Sequence, residues 1–191
     1  MNVLFLYSES INPQLGGVES VTANLAGYFE KKGFNVVFLS LLNNSPKIDK
    51  RQYLLPDPTS AVTTKNIDYF KSFLLEKSIS LVINQGGNNI QISKLASYCK
   101  SNNVKLISVV HNSLLATVNN FIFIYQNKFQ KLGLDCITPF LKNKFFSYTL
   151  RKSYIIKYGK HYKALCANSN YVFLLSEKYK EELEILLNGK L

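Results

Sequence analysis

The sequence predicts an α/β protein built on a doubly wound, mostly parallel sheet. Its first forty residues read as a strand, a glycine loop, a helix and a second strand, with apolar runs at 2–7 and 35–40. Apolar runs then alternate with helical patterns of about 10–18 residues as far as residue 113. These runs are apolar throughout, which is typical of parallel strands that are buried on both faces.

The individual elements follow from residue spacing. The first helix begins at the glycine pair and ends near Gly33, a residue suited to a helix C-terminus. Its apolar face repeats at three- and four-residue steps and consists of Val18, Val21, Leu25 and Phe29. The same patterns predict strands at 51–55, 80–84 and 105–110 and helices at 60–77 and 90–101.

The alternation breaks after residue 113. Residues 114–160 are aromatic and basic and are predicted to form a helical insertion of two or three helices, with 121–125 as one aromatic run. A short strand is predicted at 163–167, followed by a helix cap at 168–170 and a closing amphipathic helix at 171–187. A length of 191 residues favours one domain.

The chain carries 23 Lys and Arg against 12 acids, a net charge of +11. The densest basic segment, Lys128 to Lys163, also contains many aromatic residues. Three interpretations stay open for it: a solvated helical insertion, an anionic membrane surface, or nucleic acid. Nucleic acid is the least favoured of these, because no recognition motif is visible.

Targeting and redox signals are weak. No secretory signal pattern opens the sequence, and no apolar run reaches the ~18 residues of a membrane span, so we expect a cytoplasmic chain. Cys99, Cys136 and Cys166 are widely spaced and form no CxxC pair, which argues against a zinc knuckle or a redox pair.

Ligands of an open parallel sheet bind beyond the carboxyl ends of its strands. Four polar loops are expected there: Ser8–Glu19, Asn84–Asn89, His111–Ser113 and Asn168–Asn170. The candidate binding residues in these loops are Gly16, Gly17, Glu19, Gln85, Gly86, Asn112 and Ser169.

The pair Gly16-Gly17 opens a helix, and free amide N–H groups at such a position can bind a phosphate. A tight turn without a ligand is the alternative. The pattern is neither GxGxxG nor GxxxxGK[ST], so it is not the dinucleotide fingerprint and not a P-loop.

His111 is the candidate catalytic residue, because it directly follows a buried strand on the expected ligand side. A purely structural histidine is the alternative. His161 lies between Lys160 and Lys163 and is expected at the surface. The sequence shows no cluster of metal ligands and no complete catalytic set.

Together these motifs resemble the N-terminal domain of retaining glycosyltransferases of family 4, which have the GT-B fold. The resemblance covers essentially all 191 residues. It depends on Gly16-Gly17-Val18-Glu19, on the strand ending Val109-Val110-His111-Asn112, and on Ala164-Leu165-Cys166-Ala167-Asn168-Ser169 followed by Lys178 and Glu181-Glu182-Leu183. In that family the last segment is a strand and a helix that a serine caps.

The resemblance implies a single Rossmann-like domain over 1–191 that holds the acceptor, with the C-terminal donor-binding domain absent. It implies that Gly16 and Gly17 lie by the donor phosphates or the acceptor, and that His111 faces the reacting sugar. No metal and no cofactor are expected in this chain, and the nucleotide-sugar donor belongs to the full-length enzyme. The chain alone is then expected to be inactive.

The predicted function is therefore to hold a saccharide or lipid-linked acceptor during cell-surface glycan synthesis, at the inner face of the plasma membrane. At Asn84-Gln85-Gly86 many relatives carry histidine, so the chain departs from the family there. The competing interpretation is a stand-alone, non-catalytic domain that binds a saccharide or a protein.

Overall fold

The structure is a computed structural model, and it describes residues 1–44, 49–116, 131–133 and 144–188, with backbone only for 144–151. The chain divides into two compact units, which are described separately below. The first consists of Met1–His111 and Leu165–Leu174, and the second of Asn112–Ala164 and Leu175–Leu191.

The order of strands and helices follows the predicted alternation through residue 110. The strands are β1 (Asn2–Glu9), β2 (Asn35–Leu42), β3 (Gln52–Leu54), β4 (Ile79–Asn84), β5 (Lys105–Val110) and β6 (Tyr171–Leu174). The helices are α1 (Gly17–Lys31), α2 (Thr64–Glu76), α3 (Ile90–Ala96), α4 (Lys144–Asn168) and α5 (Glu177–Asn188), and a 3₁₀ helix over Ser97–Asn102 follows α3.

The six strands of the described residues all lie in the first unit and form one sheet in the order β3-β2-β1-β4-β5-β6, with every neighbouring pair parallel. Phe5 of β1 is in register with Phe38 of β2 on one side and with Ile83 of β4 on the other. This confirms the predicted doubly wound parallel sheet. The strand order reverses direction between β1 and β4, which makes this the switch point of the fold.

The sheet buries apolar side chains on both faces. Leu4 and Leu6 of β1 pack on one side with residues of α2 and α3, such as Phe70. Val3 and Phe5 pack on the other side with residues of α1. Each fully buried side chain of this size stabilises the fold by about 1.5–3 kcal/mol. The uninterrupted apolar runs in the sequence therefore reflect a layer of helices on each face.

The helix ends match their sequence signals. Helix α1 is followed by Gly33 at φ 81°, in the left-handed region that suits glycine, as predicted. The side chain of Thr63 accepts a hydrogen bond from the Asn66 amide at the start of α2. Asn89 accepts from two amides at the start of α3. Side-chain caps thus begin two of the three α-helices that the structure describes in the first 110 residues.

The sequence prediction was wrong near the C-terminus. Residues 163–167 belong to helix α4 and not to a strand, and residues 171–174 form strand β6 and not the start of a helix. Asn168 therefore ends α4, residues 169 and 170 connect it to β6, and this stretch does not begin a helix. Alanine, leucine and lysine favour the helix that is found, whereas Tyr171-Val172-Phe173-Leu174 has the β-branched and aromatic residues that favour a strand.

In the second unit, α4 and α5 come into close contact. A Cβ atom on Gly159 would lie 2.7 Å from the carbonyl oxygen of Leu186, so glycine permits this approach. His161 is only 7% exposed and packs against Tyr158 and Tyr162, which corrects its expected surface position.

Of the predicted insertion at 114–160, the structure describes helix from residue 144 onward. The aromatic run at 121–125, Cys136, and residues 128–130 and 134–143 of the basic segment lie outside the described residues. None of the helices in the described ranges is both long and apolar enough to cross a membrane.

Candidate functional site

The candidate site lies in the first unit, at the switch point of the sheet. The loops that follow β1 and β4 leave the carboxyl ends of adjacent parallel strands, and the strand order reverses between them. In folds of this type, the crevice beyond this point is where ligands bind. The loop after β1 ends at Gly16, and helix α1 begins at Gly17. The loop after β4 contains Gln85 and Gly86.

The glycine turn has two residues with different surroundings. Gly16 is the N-cap of α1, has extended backbone and offers no side-chain cap. Gly17 is the first helical residue, and a Cβ atom there would meet no atom within 4 Å among the described residues. Neither the local packing nor the backbone of this part of the chain requires a glycine at 17. The missing side chain leaves open space in front of the helix N-terminus.

Glu19 is in the first turn of α1 and is 7% exposed. Its carboxylate turns back toward the helix start, since a Cβ atom on Gly16 would lie 2.5 Å from Glu19 Oε2. Within the described part of the chain, this carboxylate makes no hydrogen bond and no ion pair. A buried carboxylate without partners is unusual, because removing a charge from water is costly unless the charge is paired.

His111 and Gln85 are joined by a short hydrogen bond. The distance from His111 Nε2 to Gln85 Oε1 is 2.6 Å. Because an amide oxygen can only accept, Nε2 carries the proton and donates. Gln85 is 3% exposed, and its backbone N–H donates to the backbone carbonyl oxygen of Leu6 at 2.9 Å. The ring of His111 is therefore held by the side chain of a buried residue whose backbone is fixed to the central strand.

The charge state of His111 follows from its surroundings. Burial lowers the pKa of His111 below its ordinary value of 6.5, and the negative charge of Glu19 opposes that shift in part. The imidazole is thus neutral at pH 7. Burial also raises the pKa of Tyr7, and the charges of Glu19 and Glu9 raise it further. The sequence did not indicate Tyr7, which lies in a strand that looked uniformly apolar.

The loop after β4 is fixed by close backbone packing. The amide of Gly86 donates to Asn84 Oδ1 at 2.9 Å, and the amide of Gly87 donates to the carbonyl oxygen of Val109 at 3.1 Å. A Cβ atom on Gly87 would lie 2.3 Å from that oxygen, and one on Gly86 would lie 2.9 Å from Ile92 Cγ2. Both glycines are therefore required by packing, in contrast to Gly17.

The loop after β1 is anchored by a second set of polar groups. Gln52 Oε1 accepts from the Ile11 amide at 3.0 Å, and its Nε2 donates to Ser40 Oγ at 3.2 Å. Ser40 Oγ donates to the carbonyl oxygen of Glu9 at 2.7 Å. These supporting hydrogen bonds were not predicted from the sequence. The available signal was a buried serine that interrupts the apolar run of β2.

Ser169 lies at the opposite end of its strand from the position that was expected. It precedes β6, so it does not belong to a loop at the carboxyl ends, and that expectation was wrong. Its hydroxyl lies 2.8 Å from Ser108 Oγ, which also accepts a long hydrogen bond from Asn84 Nδ2 at 3.4 Å. A substrate contact for Ser169 stays a prediction. What the structure gives it is a place in a polar network that includes Asn84, the support of Gly86.

The serine that follows β6 and precedes a helix is Ser176. Its Oγ accepts a hydrogen bond from the Tyr179 amide, so it caps α5 as the resemblance expected of Ser169. The sequence indicates this capping position through the β-branched and aromatic residues of Tyr171–Leu174, which favour a strand just before Ser176. Asn112, the residue after His111, is exposed and begins the second unit, and its role stays a prediction.

In chemical terms the site combines a neutral imidazole, a buried carboxylate and open helix amides. A hydroxyl group can bind to each of these three groups. It can donate a hydrogen bond to the carboxylate or to the neutral imidazole, and it can accept one from the helix amides. Within the described ranges, no three His, Cys, Asp or Glu side chains are placed to hold a metal ion.

The fold and the site define a Rossmann-like α/β domain. No protein-family model and no curated protein matches the sequence. A similar solved structure is the apo form of the lipopolysaccharide outer core galactosyltransferase WaaB, with a TM-score of 0.55 and 15% sequence identity. The match covers 97% of this chain and 42% of that protein. At this identity the likeness shows the shared fold.

Proposed function

We propose that this chain is the acceptor-side domain of a glycosyltransferase that moves a sugar from a nucleotide-sugar donor to a saccharide or lipid-linked acceptor. The finer assignment is a retaining enzyme of family 4 with the GT-B fold. It is supported by the sequence resemblance at Gly16-Gly17-Val18-Glu19 and at Val109-Val110-His111-Asn112.

One observation carries the proposal. His111 is hydrogen-bonded to Gln85 at 2.6 Å beyond the carboxyl ends of β4 and β5, at the edge of the sheet where α1 begins with an open glycine turn. Groups that bind hydroxyls therefore converge at the ligand edge of a fold that is similar to a galactosyltransferase. A histidine with only a structural role would not need to face this edge.

The role of His111 follows from its protonation. With its proton on Nε2 and committed to Gln85, the ring presents Nδ1 as an acceptor, and that atom makes no hydrogen bond within the described residues. A neutral imidazole with a free acceptor can bind a sugar hydroxyl and orient it. Gln85 acts through His111 by fixing the ring and the tautomer.

The donor-binding part of the proposal concerns residues outside this sequence. The chain spans 42% of the galactosyltransferase to which it is similar. We propose that a second α/β domain binds the nucleotide sugar, and that this chain is inactive without it. The coding sequence beyond Leu191 tests this: a reading frame that continues into such a domain supports the proposal, and an immediate stop codon contradicts it.

We further propose that the protein works at the inner face of the plasma membrane, on an acceptor anchored in anionic lipid. The net charge of +11 supports this. Co-sedimentation at low salt with vesicles of neutral and of anionic lipid is the test. Binding to anionic vesicles alone is expected, and equal binding to both kinds would contradict the electrostatic part.

Acceptor binding can be tested on the chain as it stands. Saturation-transfer NMR with methyl glycosides of galactose, glucose and mannose, and with their disaccharides, should give signals for at least one saccharide. Replacing His111 by Ala should remove those signals while the circular dichroism spectrum stays unchanged. A folded protein that saturates none of these saccharides would contradict the proposal.

A further inference from the structure

Asn84 is a buried polar residue at the end of an apolar strand. It is the last residue of β4, and the three residues before it, Leu81, Val82 and Ile83, belong to the core. The Asn84 side chain is itself 0% exposed. Burial of an amide is costly unless its polar atoms form hydrogen bonds, so the partners of these atoms indicate what the residue does.

The side chain of Asn84 holds the loop that follows β4. Its Oδ1 accepts a buried hydrogen bond from the Gly86 amide at 2.9 Å, and its Nδ2 donates to Ser93 Oγ of α3 at 3.2 Å. The Ser93 hydroxyl in turn lies 3.3 Å from the carbonyl oxygen of Gly86, to which it donates. Gly86 is therefore fixed by this pair of side chains through both its N–H and its carbonyl group.

Gln85 lies between the two residues that the Asn84–Gly86 hydrogen bond joins. Its Oε1 accepts the 2.6 Å hydrogen bond from His111, and its backbone N–H donates to Leu6. Within the described part of the chain, none of the side-chain hydrogen bonds of Asn84 goes to His111. A change at Asn84 therefore reaches the histidine through the backbone of Gln85 and not by direct contact.

Ser108 belongs to the same polar network but does not hold the loop. Asn84 Nδ2 donates a long hydrogen bond to Ser108 Oγ at 3.4 Å, and Ser108 Oγ lies 2.8 Å from Ser169 Oγ. Ser108 is 1% exposed and is the register partner of Asn84 across β4 and β5. It thus provides a matched control, because its burial is the same and its hydroxyl makes no hydrogen bond to the loop.

We propose that Asn84 is a positioning residue for the candidate site, because it fixes the loop at Gly86 and thereby keeps Gln85 where it holds the Nε2 proton of His111. The inference deepens the proposed function and rests on it for the role of that histidine in binding a saccharide. With Gly86 fixed, the Gln85 oxygen stays within hydrogen-bond distance of the ring, and Nδ1 stays an acceptor. Without the Asn84 side chain the loop gains conformations in which this hydrogen bond is broken.

The test measures by NMR how fast the Nε2 proton of His111 exchanges with water, since a hydrogen bond that stays closed slows this exchange. Asn84→Ala removes the three side-chain hydrogen bonds of Asn84. Asn84→Asp keeps an acceptor for the Gly86 amide and can accept from the hydroxyls of Ser93 and Ser108. Ser108→Ala is the matched control, and urea unfolding of each variant measures its stability.

Exchange of the His111 proton should be faster in Asn84→Ala than in the wild type by about tenfold or more, and should be unchanged in Asn84→Asp and Ser108→Ala. Equal exchange in Asn84→Ala and the wild type would overturn the inference. So would faster exchange in Ser108→Ala or Asn84→Asp that equals the change in Asn84→Ala.

The wild-type protein offers a second measurement that does not depend on whether Asn84→Ala folds. The backbone amide of Gly86, which donates to Asn84 Oδ1, should exchange with water at least about a hundredfold more slowly than in an unstructured chain. A Gly86 amide that exchanges freely while the amides of β4 are protected would overturn the inference.

Binding of the methyl glycosides of galactose, glucose and mannose separates this inference from the proposed function. A glycoside that binds the wild type should bind Asn84→Ala about tenfold more weakly and should bind Asn84→Asp and Ser108→Ala equally well. Equal binding in Asn84→Ala and the wild type would overturn the inference while the proposed function stands. If no glycoside binds the wild type, the proposed function fails, and the exchange of the His111 proton still decides whether Asn84 positions the ring.

Discussion

Two glutamates in this protein are equally buried but have opposite surroundings. Glu19 in the first unit and Glu182 in the second are each 7% exposed. Glu182 accepts hydrogen bonds from the hydroxyl of Ser113 at 2.8 and 2.9 Å, and from the amides of Leu114 at 2.7 Å and Leu115 at 3.3 Å. Glu19 accepts none from the described residues.

The difference separates a structural carboxylate, Glu182, from one that we propose binds a ligand, Glu19. The oxygens of Glu182 are occupied by donors of its own unit, which offsets the cost of its burial. Glu19 has no such donor among the described residues, and it lies at the edge of the sheet where this fold binds ligands. The exposed fraction of the side chain is the same for Glu19 and Glu182. The two residues differ in how many described donors form hydrogen bonds to their carboxylates.

The largest effect is expected for Glu182→Ala. This change leaves the Ser113 hydroxyl and two amides without their acceptor, and should lower the free energy of unfolding by about 3 kcal/mol. Urea unfolding measures it, with the exposed neighbour Glu181→Ala as control and an expected change within about 0.5 kcal/mol. Equal effects in the two variants would show that the Glu182 hydrogen bonds do not stabilise the unit.

A smaller effect is expected for Gly16→Ala. The extended backbone at 16 accepts alanine, but the new Cβ must displace the Glu19 carboxylate. Alanine at an N-cap costs about 0.5–1 kcal/mol in unfolding free energy, and saccharide binding should weaken as the carboxylate moves. Gly17→Ala is the matched control, because a Cβ atom at 17 meets no described atom within 4 Å and should leave the Glu19 carboxylate in place. A Gly16→Ala protein that binds saccharide as the wild type does would contradict this role of Glu19.

Glu19→Ala should change stability less than either variant. The loss of a favourable charge at the helix start, about 0.3–1 kcal/mol, is offset by removal of a buried and unpaired carboxylate. We expect the free energy of unfolding to stay within about 0.5 kcal/mol of the wild type. A loss as large as that of Glu182→Ala in the same urea experiment would mean that Glu19 has structural partners.

The pKa of His111 depends on the charge of the Glu19 carboxylate. Since the charge of Glu19 supports the protonated imidazole, Glu19→Gln should lower the pKa of His111 further below 6.5. NMR titration of the ring protons can follow this, because the chain has only two histidines. Glu76→Gln, which removes an exposed carboxylate at the end of α2, should leave the titration unchanged. A rise in the pKa of His111 in Glu19→Gln would contradict the placement of Glu19 beside it.

The lowered pKa of His111 also predicts a pH dependence of stability. Between the folded pKa and the ordinary value of 6.5, the unfolded chain binds more protons than the folded one, so the free energy of unfolding rises with pH in that window. The contribution is complete above 6.5 and is lost as the pH falls through the folded pKa. Unfolding of the wild type should therefore become easier relative to His111→Gln as the pH drops below 6.5. The opposite trend would contradict the burial of the ring.

Much of the fold could be predicted from local patterns. Strands β1, β2, β4 and β5 are continuous apolar runs, and buried parallel strands leave that signal because both faces need apolar side chains. The prediction failed at 163–174, because residues 163–167 belong to helix α4 where a strand is predicted, and 171–174 form strand β6 where a helix is predicted. The spacing of apolar residues along the sequence cannot by itself distinguish a short buried strand from one turn of a buried helix.

The candidate site was predictable in part. Position after a buried strand was sufficient to single out His111 and Gln85, because the carboxyl ends of parallel strands share one edge. Their hydrogen bond was not predictable, since it depends on the register of β4 and β5. The direction of the Glu19 side chain was not predictable either, because at the start of a helix a carboxylate can turn outward or back over the N-cap.

The most direct test of this account is a map of amide shifts caused by a bound saccharide in the wild-type chain. We predict that a glycoside which gives saturation-transfer signals shifts the amides of Gly17, Glu19, Gln85 and His111 together, with one dissociation constant. The cleft at the other end of the sheet, lined by residues such as Lys100 and Asn170, should not respond. Shifts confined to that cleft, with the Gly17 and His111 amides unchanged, would contradict the account.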